Sequence, residues 1–221
     1  VAMNHSIDHG HQDSDLFGLL YGFRFRPGEK GQQIDSATAL AALQQPPDPE
    51  EFLWLHLNLA HAACERWMQA HLSLPEEFFE ALHEGSRSTR IEHVDSALLA
   101  VVNDVVFNFS SMVSSDISTL WVCARSRLLV SARLQPLHSV DKLRSSVKAG
   151  ELFRSPLELL VHLLRDQGEV LTQIVRKTSI SVDQIEDQLL SSRLSTNRAE
   201  LGAARRVLVR LQRLLALGPG S

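Results

Sequence analysis

The sequence contains little cysteine and no long hydrophobic run. Only two of its 221 residues are cysteines, Cys64 and Cys123, and they lie far apart along the chain. Two isolated cysteines provide neither a disulfide framework nor a paired zinc motif, so we expect buried free thiols, as in a reducing compartment. No apolar run approaches the ~20 residues that span a bilayer, and no signal peptide is evident. These absences predict a soluble polypeptide.

The motifs of common enzyme classes are also absent from the sequence. It contains no Gly-rich phosphate loop, no His-Glu-x-x-His, no Gly-x-Ser-x-Gly and no Cys-His nucleophile pattern. The serine-rich segments Ser110-Ser111 and Ser114-Ser115 are typical of a loop between strands. We therefore expect a protein that is not an enzyme and that requires no cofactor.

Proline is absent between Pro156 and Pro219, and this interval indicates two long helices. Ser155, Pro156 and Glu158 are the residue types of an N-cap, a first helical position and a third. Behind them an apolar stripe at spacings of four and three runs from Leu157 to Leu189, which predicts a rod of roughly 50 Å. A second stripe at heptad spacing comprises Leu201, Ala204, Leu208, Leu211 and Leu215. Such long helices usually project and pack against copies of themselves.

Charge is distributed unevenly along the chain, although its net value is only -4. Residues 1–190 contain 16 Lys and Arg against 25 Asp and Glu, whereas residues 191–221 contain six Arg and one Glu. The six are Arg193, Arg198, Arg205, Arg206, Arg210 and Arg213. A basic helix here is typical of nucleic-acid binding, an anionic membrane surface, the cytoplasmic flank of a membrane span or a solvated helix face. We expect no nucleic-acid partner, because the acidic remainder would repel a polyanion.

Upstream of Ser155 the hydrophobic pattern changes from helical to extended. Strands are predicted over residues 16–25, 52–59, 90–94, 97–107 and 120–132, the last as a hairpin with its turn at 124–127. Helices are predicted over residues 62–71, 75–83 and 139–147. Continuous apolar strands such as 97–102 indicate a sheet that is covered on both faces. The first 150 residues therefore predict an α/β layered domain, and the remainder a helical stalk.

Three groups of side chains on the predicted elements are candidate metal ligands. His162, Asp166 and Glu169 share one helix face, and mixed imidazole and carboxylate ligands suit Zn²⁺. Asp183, Glu186 and Asp187 form an acidic cluster at the far end of the same helix, which would suit a hard cation held between subunits. The alternative for both groups is a solvated polar face. A third group, His5, His9 and His11 with Asp8 and Asp13, would chelate weakly in a disordered tail.

His56 and Asn58 share one strand face with Trp54. Polar residues in an otherwise apolar strand are more often a satisfied buried pair than a set of ligands. We therefore expect these side chains to be buried and hydrogen-bonded, with a ligand set as the alternative.

Several segments together resemble the cytoplasmic domain of the CorA superfamily. Their sequences are more similar to its ZntB branch of zinc transporters than to the magnesium channels. They are Phe52–Leu59, Arg66-Trp67, Leu72–Pro75, Arg90 with the strand 97–107, Leu120–Val122, Leu128–Arg133, Val140–Arg144 and Ser155-Pro156. The resemblance covers roughly residues 16–217. Thr89 stands where the family commonly has Pro, and the family's Gly-Met-Asn signature between two membrane spans is absent from this chain.

The resemblance implies a fold and a division of the chain. The fold is α/β: an α/β/α layered domain with a mixed central sheet, followed by two long antiparallel helices. Residues 1–14 are then a disordered tail, 15–150 the α/β domain, 151–190 a long helix, 191–217 the stalk helix that leads to a missing membrane span, and 218–221 a linker or cloning remnant.

The resemblance also implies a function. Family members are homopentamers whose α/β domains form a cytoplasmic funnel. They transport divalent cations, so the transported ligand here would be Zn²⁺ or another divalent cation. The full-length protein would lie in the inner membrane with this region on its cytoplasmic side. Arg198, Arg205, Arg206, Arg210 and Arg213 would be pore-lining or membrane-proximal, and an anion bound in this basic funnel would offset their field. The alternative is a stand-alone soluble oligomeric scaffold or metal-responsive interaction protein that assembles through the stalk.

Overall fold

The computed structural model describes residues 15–46, 48, 50–84, 89–105, 117–190, 202, 205–206 and 208–209. These residues form seven strands and five helices. In chain order they are β1 Leu19–Phe25, β2 Gln32–Ile34, α1 Ser36–Gln44, β3 Phe52–Asn58, α2 Cys64–His71, α3 Glu76–Glu84, β4 Arg90–Val94, β5 Ala97–Val105, β6 Ile117–Arg125, β7 Leu128–Arg133, α4 His138–Ala149 and α5 Pro156–Leu190.

The seven strands form one mixed sheet. Their order is β2-β1-β3-β7-β6-β5-β4, so the two strands at its centre are far apart in sequence. β3 and β7 pair in parallel, with Leu55 opposite Val130 and Leu57 opposite Ala132. The other neighbours pair antiparallel. The predicted mixed central sheet is therefore confirmed, as is the predicted hairpin, now β6 and β7 joined at Ser126-Arg127.

Helices cover both faces of this sheet. On one face, α1, α2 and α3 contribute Ala39, Met68 and Phe78 to a core with the inward side chains of the central strands. On the other face, α4 and α5 contribute residues such as Leu143 and Leu159 to a second core. Because both faces are covered, every residue of β7 is buried. The layered α/β/α fold is confirmed.

Two short elements, β2 and α1, are present where the sequence analysis predicted no strand or helix. β2 has only three residues, two of them glutamine, so no alternation of polar and apolar residues is visible. α1 has little contrast between its faces, but its start carries a local signal. The carboxylate of Asp35 accepts a hydrogen bond from the backbone N–H of Thr38 at 2.8 Å, which is the geometry of an N-cap.

The start of α5 follows the prediction closely. The hydroxyl of Ser155 accepts a hydrogen bond from the backbone N–H of Glu158 at 3.1 Å, as an N-cap does. The carboxylate of Glu158 accepts one from the backbone N–H of Arg154 at 2.6 Å, one residue before the capping-box position. The helix then runs for 35 residues to Leu190, in agreement with the predicted rod.

The predicted apolar stripe of α5 faces the domain's own core only in part, since its residue Leu171 is buried but its first two residues are not. Leu157 is 50% exposed and Val161 46% exposed, whereas Leu159 and Leu163 on the neighbouring stripe are 0% and 1% exposed. The buried stripe continues as far as Leu171, and no described side chain of α5 after it is buried. The first half of the rod therefore closes over the sheet, contrary to the expectation that so long a helix projects, and it leaves an apolar face outside.

Much of the predicted stalk lies outside the described residues. Within it, Gly202, Arg205, Arg206, Leu208 and Val209 are helical. None of the helices in the part of the chain that the structure describes is long and apolar enough to span a membrane.

We predict that alanine substitutions on the two faces of α5 differ sharply in effect. Leu159→Ala removes a fully buried side chain, so it should lower the free energy of unfolding by about 2–5 kcal/mol. Leu157→Ala, the matched control two residues away, should change it by less than about 0.5 kcal/mol because that side chain is half exposed. Urea unfolding followed by circular dichroism measures both. Equal losses would show that the outer stripe is packed as well.

Candidate functional site

The predicted row of metal ligands on α5 forms a compact ion cluster with α4. Asp166 is buried with 3% exposure, although it is a carboxylate on a helix surface. The ammonium of Lys142, from α4, lies 3.0 Å from Asp166 Oδ1 and 2.5 Å from Glu169 Oε2. The structure thus brings the predicted residues together, but around a lysine that the sequence analysis did not identify.

His162 contacts a carboxylate at each of its two ring nitrogens. Its Nδ1 lies 2.9 Å from Asp166 Oδ2, and its Nε2 lies 3.2 Å from Glu151 Oε1. Glu151 reaches this position because α4 ends at Gly150, whose left-handed backbone (φ 93°) turns the chain back toward α5. The cluster therefore joins the end of α4, the following loop and α5.

The charges in this cluster stabilise one another. The pKa of Lys142 is raised, chiefly by its contact with Glu169 and then by Asp166. The pKa of Glu169 is lowered, chiefly by its contact with Lys142. Among the residues that the structure describes, no group of three or more His, Cys, Asp or Glu side chains is arranged to hold a metal ion. A metal at this row would have to replace the Lys142 ammonium.

The other predicted ligands and basic residues are only partly covered by the structure. Asp183 is exposed on α5, while the side chains of Glu186 and Asp187 are outside the described set. Arg205 and Arg206 are helical and exposed. The predictions that fall on Arg198, Arg210, Arg213 and the tail residues His5, Asp8, His9, His11 and Asp13 lie outside the described residues.

A second polar cluster lies inside the α4–α5 side of the sheet, around His56. Trp54 Nε1 donates a hydrogen bond to Ser131 Oγ at 2.8 Å, and His56 Nδ1 lies 2.8 Å from the same oxygen. Arg133 Nε donates to His56 Nε2 at 3.2 Å. Because arginine has no acceptor, Nε2 must accept, and the ring proton resides on Nδ1 and is donated to Ser131.

This cluster carries two arginines near a neutral histidine. Burial is the main cause that lowers the pKa of His56 well below its usual value, and the charges of Arg133 and Arg144 lower it further. The Tyr21 ring stacks on His56 with centroids 4.8 Å apart, and the Arg144 guanidinium lies 4.8 Å from the centre of the Tyr21 ring. The sequence analysis predicted a buried polar pair of His56 and Asn58 on the strand face of Trp54, and it did not identify the arginines.

Asn58, expected on the same strand face, does not join this cluster. Its side-chain oxygen accepts a hydrogen bond from the backbone N–H of Ala60 at 3.0 Å, which is a turn contact at the end of β3. The two cysteines are buried and free, as predicted. Burial raises the pKa of the Cys64 thiol to about 12 and that of Cys123 to about 11, so both are poor nucleophiles at neutral pH.

An open surface pocket lies between α2 and α3. It is lined by Glu65, Gln69, Leu74, Glu76, Phe79, Glu80 and His83. His83 Nε2 lies 3.0 Å from Glu65 Oε1, in a contact that leaves both side chains substantially exposed. The pocket is acidic, but its polar groups are solvated, and solvated contacts of this kind contribute little binding energy.

Comparison with known proteins extends this description. A family model described as CorA-like Mg²⁺ transporter protein matches residues 49–217. The divalent cation transporter CmaX of Pseudomonas aeruginosa is 26% identical over 210 residues, which are 93% of this chain and 61% of that protein. The zinc transport protein ZntB of Yersinia enterocolitica is 22% identical over 189 residues, 86% of this chain and 55% of that protein. The chain thus spans little more than half the length of these relatives.

Solved structures show the same fold. The full-length CmaX protein superposes with a TM-score of 0.79 at 24% identity, covering 92% of this chain and 61% of that one. The ZntB cytoplasmic domain from Vibrio parahaemolyticus gives a TM-score of 0.65 at 15% identity, covering 90% and 75%. The soluble domain of CorA from Methanocaldococcus jannaschii gives 0.62 at 14% identity, covering 89% and 75%.

We predict a bounded pH window for the stabilisation that Lys142 provides. The lowered pKa of Glu169 means that its contribution is present above the usual value of 4.5 and is lost as the pH falls through the lowered value. The raised pKa of Lys142 means that its contribution is present below 10.5 and is lost as the pH rises through the raised value. Lys142→Gln should therefore lower the melting temperature most between about pH 5 and pH 10.

Thermal unfolding followed by circular dichroism across this range measures the difference between the two proteins. Lys148→Gln, on the exposed side of the same helix, is the matched control and should follow the wild-type curve. A difference in melting temperature between Lys142→Gln and the wild type that stays constant from pH 3 to pH 11 would contradict a stabilising role for the Lys142 ion contacts.

Proposed function

The chain belongs to the CorA-like Mg²⁺ transporter family, and from this premise we propose that it forms the cytoplasmic domain of a membrane transporter for divalent metal cations. The observation that carries the proposal is the agreement of fold and sequence over nearly the whole chain, with a TM-score of 0.79 to the full-length CmaX protein. CmaX is described as a divalent cation transporter. On this proposal the protein moves an ion and catalyses no covalent reaction.

Zn²⁺ is the transported ion that we propose. Several relatives at 21–22% identity are zinc transport proteins of the ZntB type. The segments that resemble this branch, such as Phe52–Leu59 and Leu128–Arg133, form the two central strands of the sheet. The family description names Mg²⁺ instead, so the choice between the two ions depends on the branch and is the point to be measured.

We further propose that the full-length protein is a homopentamer of the inner membrane, with this domain on the cytoplasmic side. The heptad stripe of the stalk supports self-association, since a helix with one apolar stripe is stable when another helix covers it. The exposed arginines Arg205 and Arg206 fit a position close to the cytoplasmic face of the membrane, where basic residues are enriched. An anion held in the basic funnel would reduce the repulsion that a cation meets there.

The transport proposal is tested with the full-length parent protein in liposomes that contain a zinc-sensitive dye. We expect Zn²⁺ influx well above that of protein-free liposomes and above Mg²⁺ influx measured with a magnesium dye. Influx of Mg²⁺ alone would support the proposed transport function and refute Zn²⁺ as the transported ion. Absence of flux for either ion, with a reading frame that stops close after Leu217, would favour the alternative of a soluble oligomeric scaffold.

The two metal groups on α5 are proposed as accessory sites within this function. Zinc at His162, Asp166 and Glu169 would displace Lys142, and a second cation would be held at Asp183, Glu186 and Asp187. The mixed imidazole and carboxylate donors of the first group support the choice of zinc there.

Calorimetry with ZnCl₂ tests the first of these sites. His162→Ala should remove one zinc equivalent, whereas Lys142→Ala should tighten binding at least severalfold, because the competing ammonium is gone. His93→Ala, which changes an exposed histidine on β4, is the matched control and should keep the wild-type stoichiometry. An unchanged stoichiometry in His162→Ala would dismiss the site.

A further inference from the structure

The parallel pair at the centre of the sheet creates a point where two connections diverge. After β3 the chain passes to α2 on one face of the sheet, and after β7 it passes to α4 on the other. In α/β sheets, ligands bind preferentially outside the carboxyl ends of parallel strands at such a point. In this chain the carboxyl ends of β3 and β7 carry His56 and Arg133, with Asn58 opposite Arg133 in the register.

Arg133 is a desolvated cation at this point. Arg133 is only 6% exposed, and burial lowers the pKa of its guanidinium group. Its Nε donates a hydrogen bond to His56, which is neutral, and no carboxylate forms an ion pair with Arg133 among the residues that the structure describes. The charge of Asp141 acts on it from a distance but does not form an ion pair with it.

Arg144 brings a second cation from α4 to the same place. Its guanidinium lies over the Tyr21 ring, and its Nε is buried without a hydrogen-bond partner within the described residues. Tyr21 stacks on His56, and His56 accepts the hydrogen bond from Arg133, so both guanidinium groups border one cluster. Burial also raises the pKa of Tyr21, which keeps its hydroxyl protonated and able to donate.

Two guanidinium groups with little exposure to solvent and no ion-pair partner are energetically unfavourable. Removing a charge from water carries a free-energy penalty unless an opposite charge offsets it, and buried polar groups without partners are rare in native proteins. The stacking of Arg144 on Tyr21 offsets only a part of this penalty. The missing component is a negative charge with several acceptor oxygens.

We propose that this cluster is a binding site for a small tetrahedral oxyanion of the phosphate class. Arg133 and Arg144 supply planar guanidinium donors, which match the spacing of phosphate oxygens, and the Tyr21 hydroxyl supplies a third donor. The site is separate from the basic stalk: it lies between β1, β3, β7 and α4. Its occupancy would fix the position of α4 over the sheet.

The test uses thermal unfolding of the 221-residue chain in sodium phosphate against sodium chloride at the same ionic strength and pH. Phosphate at 100 times its dissociation constant should raise the melting temperature by about 5–10 °C more than chloride does. The rise should saturate. An equal effect of chloride, or no rise with phosphate, would overturn the proposal.

Variants locate the effect. Arg144→Gln, at a half-buried position, should lose at least tenfold in phosphate affinity measured by calorimetry, and Arg133→Gln should lose as much. Arg144→Lys should bind with intermediate affinity, because it keeps the charge and loses the planar donors. Arg154→Gln, an exposed arginine after α4, is the matched control and should bind like the wild type. Wild-type affinity in both Arg144 variants would refute the site even if Arg133→Gln does not fold.

A third experiment distinguishes two ligands with the same phosphate chemistry, the free anion and a phosphate ester. Glycerol 3-phosphate replaces inorganic phosphate in the same titrations of the wild-type chain and of Arg144→Gln. A wild-type affinity above that for inorganic phosphate identifies a phosphate ester as the preferred ligand, and a lower affinity identifies the free anion. Binding of either compound that survives Arg144→Gln unchanged would count against the proposed site.

Discussion

The parallel pairing of β3 with β7 is the constraint on which the rest of the structure depends. It joins segments more than 70 residues apart in sequence, and it places His56 opposite Ser131 at the centre of the sheet. The register aligns the polar residues of both strands on one face, where Trp54, His56, Ser131 and Arg133 become one hydrogen-bonded set. A shift of one residue would move the polar residues of one strand to the opposite core and separate them from those of the other. The same pairing sends the two following helices to opposite faces.

A second consequence concerns α5, which has two apolar stripes with different partners. The inner stripe, with Leu159 and Leu163, is anchored on the sheet, and the ion cluster of Lys142 and Asp166 fixes the position of α5 along α4. The outer stripe, with Leu157 and Val161, stays half exposed. The first half of this long helix is therefore held on two sides, because bending it there would disturb both the core and the ion contacts.

The features that the sequence predicted are those with local causes. The hairpin at 124–127 and the start of α5 depend on residues within four positions of each other, and the family resemblance supplied the layered order of the elements. The buried face of α5 was not decided by the pattern, because leucine or valine at 157, 159, 160, 161, 163 and 164 fills more than one stripe. Lys142 and Arg144 were missed because their partners are distant in sequence. Likewise Asp104 of β5, not a neighbouring residue, accepts the hydrogen bond from the backbone N–H of Ser139 in the first turn of α4.

These long-range contacts converge on α4. Val140, Leu143 and Val147 bind it to the sheet, Lys142 binds it to α5, and Arg144 reaches the cluster at Tyr21. Lys142 and Arg144 are two positions apart, so they point to different sides of the helix, one toward α5 and one toward the ends of β3 and β7. Any movement of α4 therefore alters both sets of contacts at once. Because α4 contacts both the sheet and α5, it is the element that connects the centre of the sheet to the long helix.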